Sequence, residues 1–119
     1  MNIDSYKSLI VWQKSIVLVR EVYTITRRFP KEELYGLTSQ MRRASVAIPS
    51  NIAEGSRRSS RKDFRNFLII AFASGAELET QFEIAKMLKF CTAAESAIVE
   101  SLLDEVMRML NTMIKKLDG

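Results

Sequence analysis

Residues 64–85 read FRNFLIIAFASGAELETQFEIA, and this stretch decides the fold class. Its apolar and small positions step by 4 and 3 residues in strict alternation: Phe64, Leu68, Ala71, Gly75, Leu78, Phe82 and Ala85. An unbroken heptad pattern of this length predicts a long helix, which we expect to begin near Ser59 or Ser60 with Asp63 in its first turn. Residues 67–76 carry no charge, so this helix should be buried on more than one side.

Two segments with wide apolar arcs lie towards the ends of the chain. Residues 9–28 and residues 94–117 each place apolar side chains over an arc of about 180° at ~100° per residue. The Phe29-Pro30 pair ends the first segment, because proline disfavours helical geometry at the residue before it. Both segments are predicted to be helices.

The remaining helical segment, residues 37–55, contains a proline. Its apolar positions form a narrow stripe: Leu37, Met41, Ala44, Ile48 and Ile52. Thr38 or Ser39 is the candidate N-cap, and Gly55 is the candidate C-terminal stop. Pro49 lacks a backbone donor, so the helix either kinks or breaks there. We favour a kink, since the stripe keeps its phase across Pro49.

Together these segments predict an all-α, antiparallel up-down-up-down four-helix bundle, kinked at Pro49 in its second helix and spanning residues 1–119 as one domain. Short connections between long helices favour antiparallel neighbours. No segment is predicted to be a β-strand, because apolar and polar residues nowhere alternate with a period of two for long.

Composition is that of a soluble globular protein, with 47% hydrophobic and 27% charged residues. The N-terminus lacks the apolar core of a signal peptide, and the uncharged run at residues 66–76 is too short for a membrane span. Cys91 is the sole cysteine, so no intramolecular disulfide can form. We therefore expect a cytoplasmic protein that makes no membrane contact.

The residue types that catalysis and metal binding require are largely missing. Histidine is absent, which removes the ferritin-like metal site and the usual base of a serine or cysteine nucleophile. Cys91 could be an accessible thiol, but a small apolar filler is the more usual role. Glu77, Glu79 and Glu83 are better explained by ion pairs than by acid–base work. We predict no enzyme, no catalytic residue, no metal and no cofactor.

Basic residues concentrate at the turn between the second and third helices. Five of them lie within nine residues: Arg57, Arg58, Arg61, Lys62 and Arg65. Arginine suits phosphate oxygens, and the start of a helix adds partial positive charge, so these residues are candidate nucleic-acid contacts. The alternative is a solvated basic turn. The net charge of +4 does not decide between these two interpretations.

Arg42 and Arg43 are weaker candidates for the same role. Arg43 projects away from the apolar stripe of the second helix and could pair with a carboxylate of a neighbouring helix or subunit. The alternative is a surface salt bridge worth about 0–1 kcal/mol.

The apolar arcs also predict self-association. A helix facing the core of a monomeric bundle needs an apolar stripe of a little over ~100°, and the first and fourth helices offer almost twice that. Soluble monomers avoid large exposed apolar patches. The alternative is that the stripe edges are half-exposed margins of the core.

Several strings resemble the bacterial four-helix-bundle family, also called the 23S rRNA intervening-sequence protein family. They are VWQK at 11–14, FPKEE at 29–33, YGLTSQ at 35–40, RRA at 42–44, IPSNIAEG at 48–55 and ELET at 77–80. The chain departs from the family pattern at Ala73, where a glycine is expected, and at Lys89-Phe90-Cys91, which replaces a Gly-Tyr-type turn.

The resemblance implies a bundle that assembles as a homopentamer. It also implies a fold similar to the accessory variability determinant of diversity-generating retroelements, a basic pentamer that binds nucleic acid and a reverse transcriptase. The leading prediction is therefore a homo-oligomer that binds RNA or DNA backbone through basic turns. The alternative is a structural or protein-interaction scaffold, with an unidentified protein partner and no nucleic-acid binding.

Overall fold

Four α-helices account for most of residues 5–118, the part of the chain that the computed structural model describes. They are α1 (Ile10–Thr26), α2 (Leu37–Ser56), α3 (Arg61–Met87) and α4 (Ala93–Lys116). Short 3-10 turns precede α1 at Tyr6–Ser8 and α2 at Lys31–Glu33. No strand occurs within residues 5–118, which confirms the all-α class.

Each helix packs against its neighbours in the chain, and α1 also packs against α4. The molecule measures 44 × 22 × 20 Å, so it is about as long as its longest helix, α3. Ion pairs link the helices along their length. Lys14 of α1 pairs with Glu105 of α4 at 3.2 Å, and Lys86 of α3 pairs with Glu100 of α4 at 3.1 Å.

The heptad positions of α3 form the centre of the core. All seven predicted positions, from Phe64 to Ala85, are buried, and so are Met41, Ala44, Ile48 and Ile52 of the α2 stripe. A period of 3.5 residues keeps one seam of a helix facing its partners, so the spacing located these positions correctly.

The wide arcs of α1 and α4 extend beyond this core. Leu18, Val22 and Val106 are fully buried, whereas Ile16 is 42% exposed and Ile98 is 77% exposed. The bundle therefore covers only part of the apolar surface that the sequence placed on these two helices.

Pro49 lies inside α2, which stays helical on both sides of it. The proline is buried, and Ile48 and Ile52 beside it point into the core without a change of phase. The helix does not break at this residue.

The predicted caps of α2 were wrong. Neither Thr38 nor Ser39 caps the helix: the first N–H, that of Leu37, donates to Glu33 Oε1 at 3.2 Å, and Thr38 is buried inside the helix. The capping carboxylate comes from the preceding 3-10 turn, where its negative charge also suits the helix N-terminus.

Gly55 was also misread as a stop signal. It is helical and buried, and α2 continues to Ser56. A Cβ atom on Gly55 would lie 2.6 Å from Cβ of Phe67 and 3.0 Å from Cδ1 of Phe64. Glycine is needed here because α2 and α3 approach too closely for any side chain.

α3 ends in a left-handed turn at Lys89, whose φ is +64°. The Phe90 N–H donates to the Ala85 carbonyl at 2.9 Å, and the Lys89 N–H donates to the Lys86 carbonyl at 3.0 Å. This is a Schellman motif, a helix ending that favours glycine at its left-handed position. The turn keeps the geometry of a Gly-type turn although lysine occupies that position.

The helices α3 and α4 are each capped by a hydroxyl side chain from the connection before them. Ser60 Oγ accepts from the Asp63 N–H at 3.1 Å, which confirms the predicted start of α3. Thr92 and Glu95 form a reciprocal capping box at the start of α4. The adjacent Cys91 is buried, and burial raises the pKa of its thiol, so the filler role fits it.

Candidate nucleic-acid interface

The five basic residues of the α2–α3 turn lie at one end of the bundle. Arg57, Arg58, Arg61 and Lys62 are exposed, and Arg65 is half-buried. Arg57 stands at the C-cap of α2 and Arg61 at the first position of α3, so the turn between them is short and presents them together.

Arg61 and Arg65 fasten the end of α4 to α3. The Arg61 guanidinium donates to the Lys116 carbonyl at 3.0 Å, and Arg65 Nε donates to the Ile114 carbonyl at 3.1 Å. The last carbonyls of a helix have no partner within it, so the two arginines satisfy acceptors that water would otherwise bind. Both side chains therefore hold the fold together, whatever else they contact.

Arg57 and Arg58 lie over aromatic rings. The Arg57 guanidinium is 5.4 Å from the centre of the Tyr6 ring, and the Arg58 guanidinium is 4.8 Å from that of Phe67. Arg58 also pairs with Glu54 at 3.1 Å. Stacking fixes the position of a guanidinium while its outward N–H groups stay accessible to an anion.

Three lysines outside the basic cluster of the sequence reach the same end. Lys115 and Lys116 come from the last turn of α4, which Arg61 holds beside the α2–α3 turn. Lys7 precedes α1 next to Tyr6, the residue beneath Arg57. The up-down-up-down order predicted from the sequence would put the start of the first helix and the end of the fourth beside this turn, so that prediction already offered a signal for these lysines.

We define the basic end as the cationic residues gathered here. They are Lys7, Arg57, Arg58, Arg61, Lys62, Arg65, Lys115 and Lys116. Within residues 5–118, three acidic residues accompany these eight at this end: Glu54, Asp63 and Asp118. The exposed N-terminus of α3 adds a partial positive charge. The basic end is therefore a surface that attracts anions.

Arg42 and Arg43 lie elsewhere. Arg42 Nε donates to Thr26 Oγ1 at 3.0 Å, and its guanidinium stands 4.6 Å from the centre of the Tyr23 ring. Arg43 is exposed and donates to Gln40 of its own helix at 3.2 Å. Fourteen residues of helix, about 20 Å, separate Arg43 from Arg57, so these two arginines do not extend the basic end.

Of the three α3 carboxylates singled out in the sequence, Glu83 lies in an ion-pair network. Glu83 pairs with Lys86 at 2.7 Å, and Lys86 also pairs with Glu100 of α4. Both carboxylates raise the pKa of Lys86.

Across residues 5–118, no three potential metal-ligating side chains come together. None of the four helices has both the length and the apolar character that crossing a bilayer demands.

Comparisons with known proteins place this fold in a family. The sequence model of the family described as 23S rRNA-intervening sequence protein matches residues 7–112. A crystal structure of a protein with unknown function from the S23 ribosomal protein family, from Bacteroides thetaiotaomicron VPI-5482, is similar with a TM-score of 0.80. That match has 24% sequence identity and covers 89% of this chain and 99% of the other. The comparison with curated proteins gave no match.

Proposed function

The chain belongs to the 23S rRNA-intervening sequence protein family, and from this premise we propose that it is a cytoplasmic, non-catalytic homo-oligomer that binds RNA or DNA backbone through its basic end. One observation carries the proposal: three separate parts of the chain deliver eight basic side chains to one end of the bundle.

Phosphate is the group that such a surface suits best. Each contact between a lysine or arginine and a phosphate releases bound counterions, which favours binding at low salt. Arg57 and Arg58 are held over aromatic rings, so little side-chain freedom remains to be lost on contact. Backbone contacts carry no sequence information, and we expect binding that tolerates different sequences.

Assembly into a ring, which we expect to be a pentamer, would repeat the basic end and add avidity. Exposed apolar side chains support assembly: Ile10 and Val17 on α1 and Ile98 on α4 remain uncovered. The proposal includes the antiparallel topology. The ion pair between Arg28, near the end of α1, and Glu95, near the start of α4, supports it. It also includes a kink at Pro49.

Charge reversal at the basic end tests nucleic-acid binding. The variant Arg57→Glu, Arg58→Glu, Lys62→Glu removes exposed cations and spares Arg61 and Arg65, which hold α4. The matched control reverses three exposed cations outside the basic end, Arg20, Arg27 and Lys31, and changes the net charge equally. Binding to a fluorescent RNA and a fluorescent DNA is measured by anisotropy at low salt.

We expect wild type and control to bind both probes and the basic-end variant to lose binding. The slope of log affinity against log salt should fall by ~0.7–0.9 for each phosphate contact removed. If wild-type protein binds neither probe at low salt, nucleic-acid binding is excluded and the scaffold function replaces it. Equal losses of binding in the variant and the control would show that net charge alone causes the effect, which would contradict a role for the basic end.

A further inference from the structure

α2 carries a cleft that the proposed nucleic-acid surface does not use. It is shallow, about 480 Å³, and lies near the start of the helix. Tyr35, 93% exposed, and the exposed side chains of Leu34 and Val46 provide apolar walls. Arg42 and Arg43 also line it. Tyrosine and arginine are enriched among the residues that contribute most to protein interfaces.

The two arginines bring unneutralised charge to this cleft. Arg42 is fixed by its bond to Thr26 and its stacking on Tyr23, which leaves its terminal N–H groups for another acceptor. Within residues 5–118, neither Arg42 nor Arg43 forms an ion pair with a carboxylate. The cleft therefore offers a preorganised cationic centre with apolar surroundings.

A ridge with the opposite character runs along α3. Ile70, Glu77 and Ile84 are seven residues apart, so they lie nearly in line on one side of the helix over about 20 Å. Ile70 is 48% exposed and Ile84 is 37% exposed. Glu77 between them is exposed and forms no ion pair within the described part of the chain. The ridge presents a carboxylate flanked by two isoleucines.

We propose that the α3 ridge of one copy of this chain docks in the α2 cleft of a second copy, with Glu77 of the ridge paired to Arg43 of the cleft. Charge complementarity selects a second copy as the occupant, since the chain itself carries both the cation with apolar walls and the carboxylate with apolar flanks. Two different patches meet, so the contact is head-to-tail and closes into a ring when the rotation between copies permits. The inference rests on the oligomer proposed above and identifies its contact surfaces.

A charge swap tests the pairing. Arg43→Glu places two carboxylates together, and Glu77→Arg places cations together, so each variant should weaken assembly. The double variant Arg43→Glu, Glu77→Arg restores opposite charges and should restore assembly. Arg27→Glu, at an exposed position just after α1 and outside the cleft, the ridge and the basic end, is the matched control and should assemble as wild type does.

Mass is followed against concentration by sedimentation velocity, and helix content by circular dichroism. We expect each single reversal to raise the concentration for half-assembly about tenfold or more and the double variant to return it to the wild-type range. A double variant no better assembled than the singles would overturn the pairing, and so would normal assembly of Arg43→Glu. If Arg43→Glu assembles normally, only the assigned contact surfaces are wrong, and the proposed oligomer is unaffected. A wild-type protein that stays a single chain would instead overturn the oligomer.

Discussion

Single side chains at this bundle's ends have roles that their residue types alone do not reveal. Arg61 and Arg65 belong to a basic cluster in the sequence, but in the structure each donates to a carbonyl at the end of α4. Lys89 takes the left-handed position that ends α3, where a side chain costs about 1–2 kcal/mol relative to glycine.

Replacing Lys89 with glycine should therefore stabilise the protein. The backbone strain that is relieved outweighs the entropic cost of the greater conformational freedom of glycine in the unfolded chain. We therefore expect the free energy of unfolding to rise by about 0.5–1 kcal/mol. Urea denaturation at one fixed protein concentration measures it. Lys89→Ala keeps the Cβ atom, so this control should gain little. Equal stability of wild type and Lys89→Gly would contradict the strain.

At the scale of elements, the helices α2, α3 and α4 each begin with a different capping arrangement. α2 borrows the Glu33 carboxylate, α3 uses Ser60, and α4 has the Thr92–Glu95 capping box. The Glu95 carboxylate accepts the Thr92 N–H at 2.8 Å and also pairs with Arg28. The hydrogen bond from the Thr92 backbone is the main cause that lowers the pKa of Glu95, followed by the Thr92 side chain, and Arg28 lowers it further.

This lowered pKa predicts an acid-sensitive cap. The unfolded chain binds the proton more readily than the folded one, so the contribution of Glu95 is present above its ordinary pKa of 4.5 and is lost as the pH falls through the lower folded value. Glu95→Gln keeps the capping oxygen but cannot titrate. Unfolding by urea from pH 7 to pH 3 should show wild type more stable at neutral pH, with the difference shrinking in acid. A difference that does not vary with pH would contradict this.

At the scale of the whole molecule, packing of the four helices separates two kinds of surface. One end collects cations from before α1, from the α2–α3 turn and from the last turn of α4. The sides retain exposed apolar residues, among them Ile98 at 77% exposure. A monomer of this size that left such residues in water would be prone to association.

Light scattering in solution should therefore give a mass that is a multiple of 13.6 kDa, and five chains is the number that we expect. The basic-end variant with Arg57, Arg58 and Lys62 reversed should keep that mass, because those residues lie away from the α2 cleft and the α3 ridge. The mass of one chain at micromolar concentration would exclude the oligomer.

Much of the fold and part of the candidate site could be predicted from local patterns. Heptad spacing identified seven of the eight buried positions of α3, all but Gln81, and Ser60 was a correct helix start. The roles of Gly55 and of Arg61 could not be predicted, because each depends on a neighbour from another helix: Phe67 for the glycine and the Lys116 carbonyl for the arginine.

The amino-acid sequence by itself determined the all-α class, the apolar stripes and the family, because these follow from residue spacing along one chain. Only the tertiary structure decided the contacts that build the basic end. It set Arg57 over Tyr6 and bound Arg61 to the Lys116 carbonyl, which places Lys7, Lys115 and Lys116 beside the α2–α3 turn. The reason is physical: periodicity orients a side chain about its own helix axis, but helix packing sets which ends and faces meet.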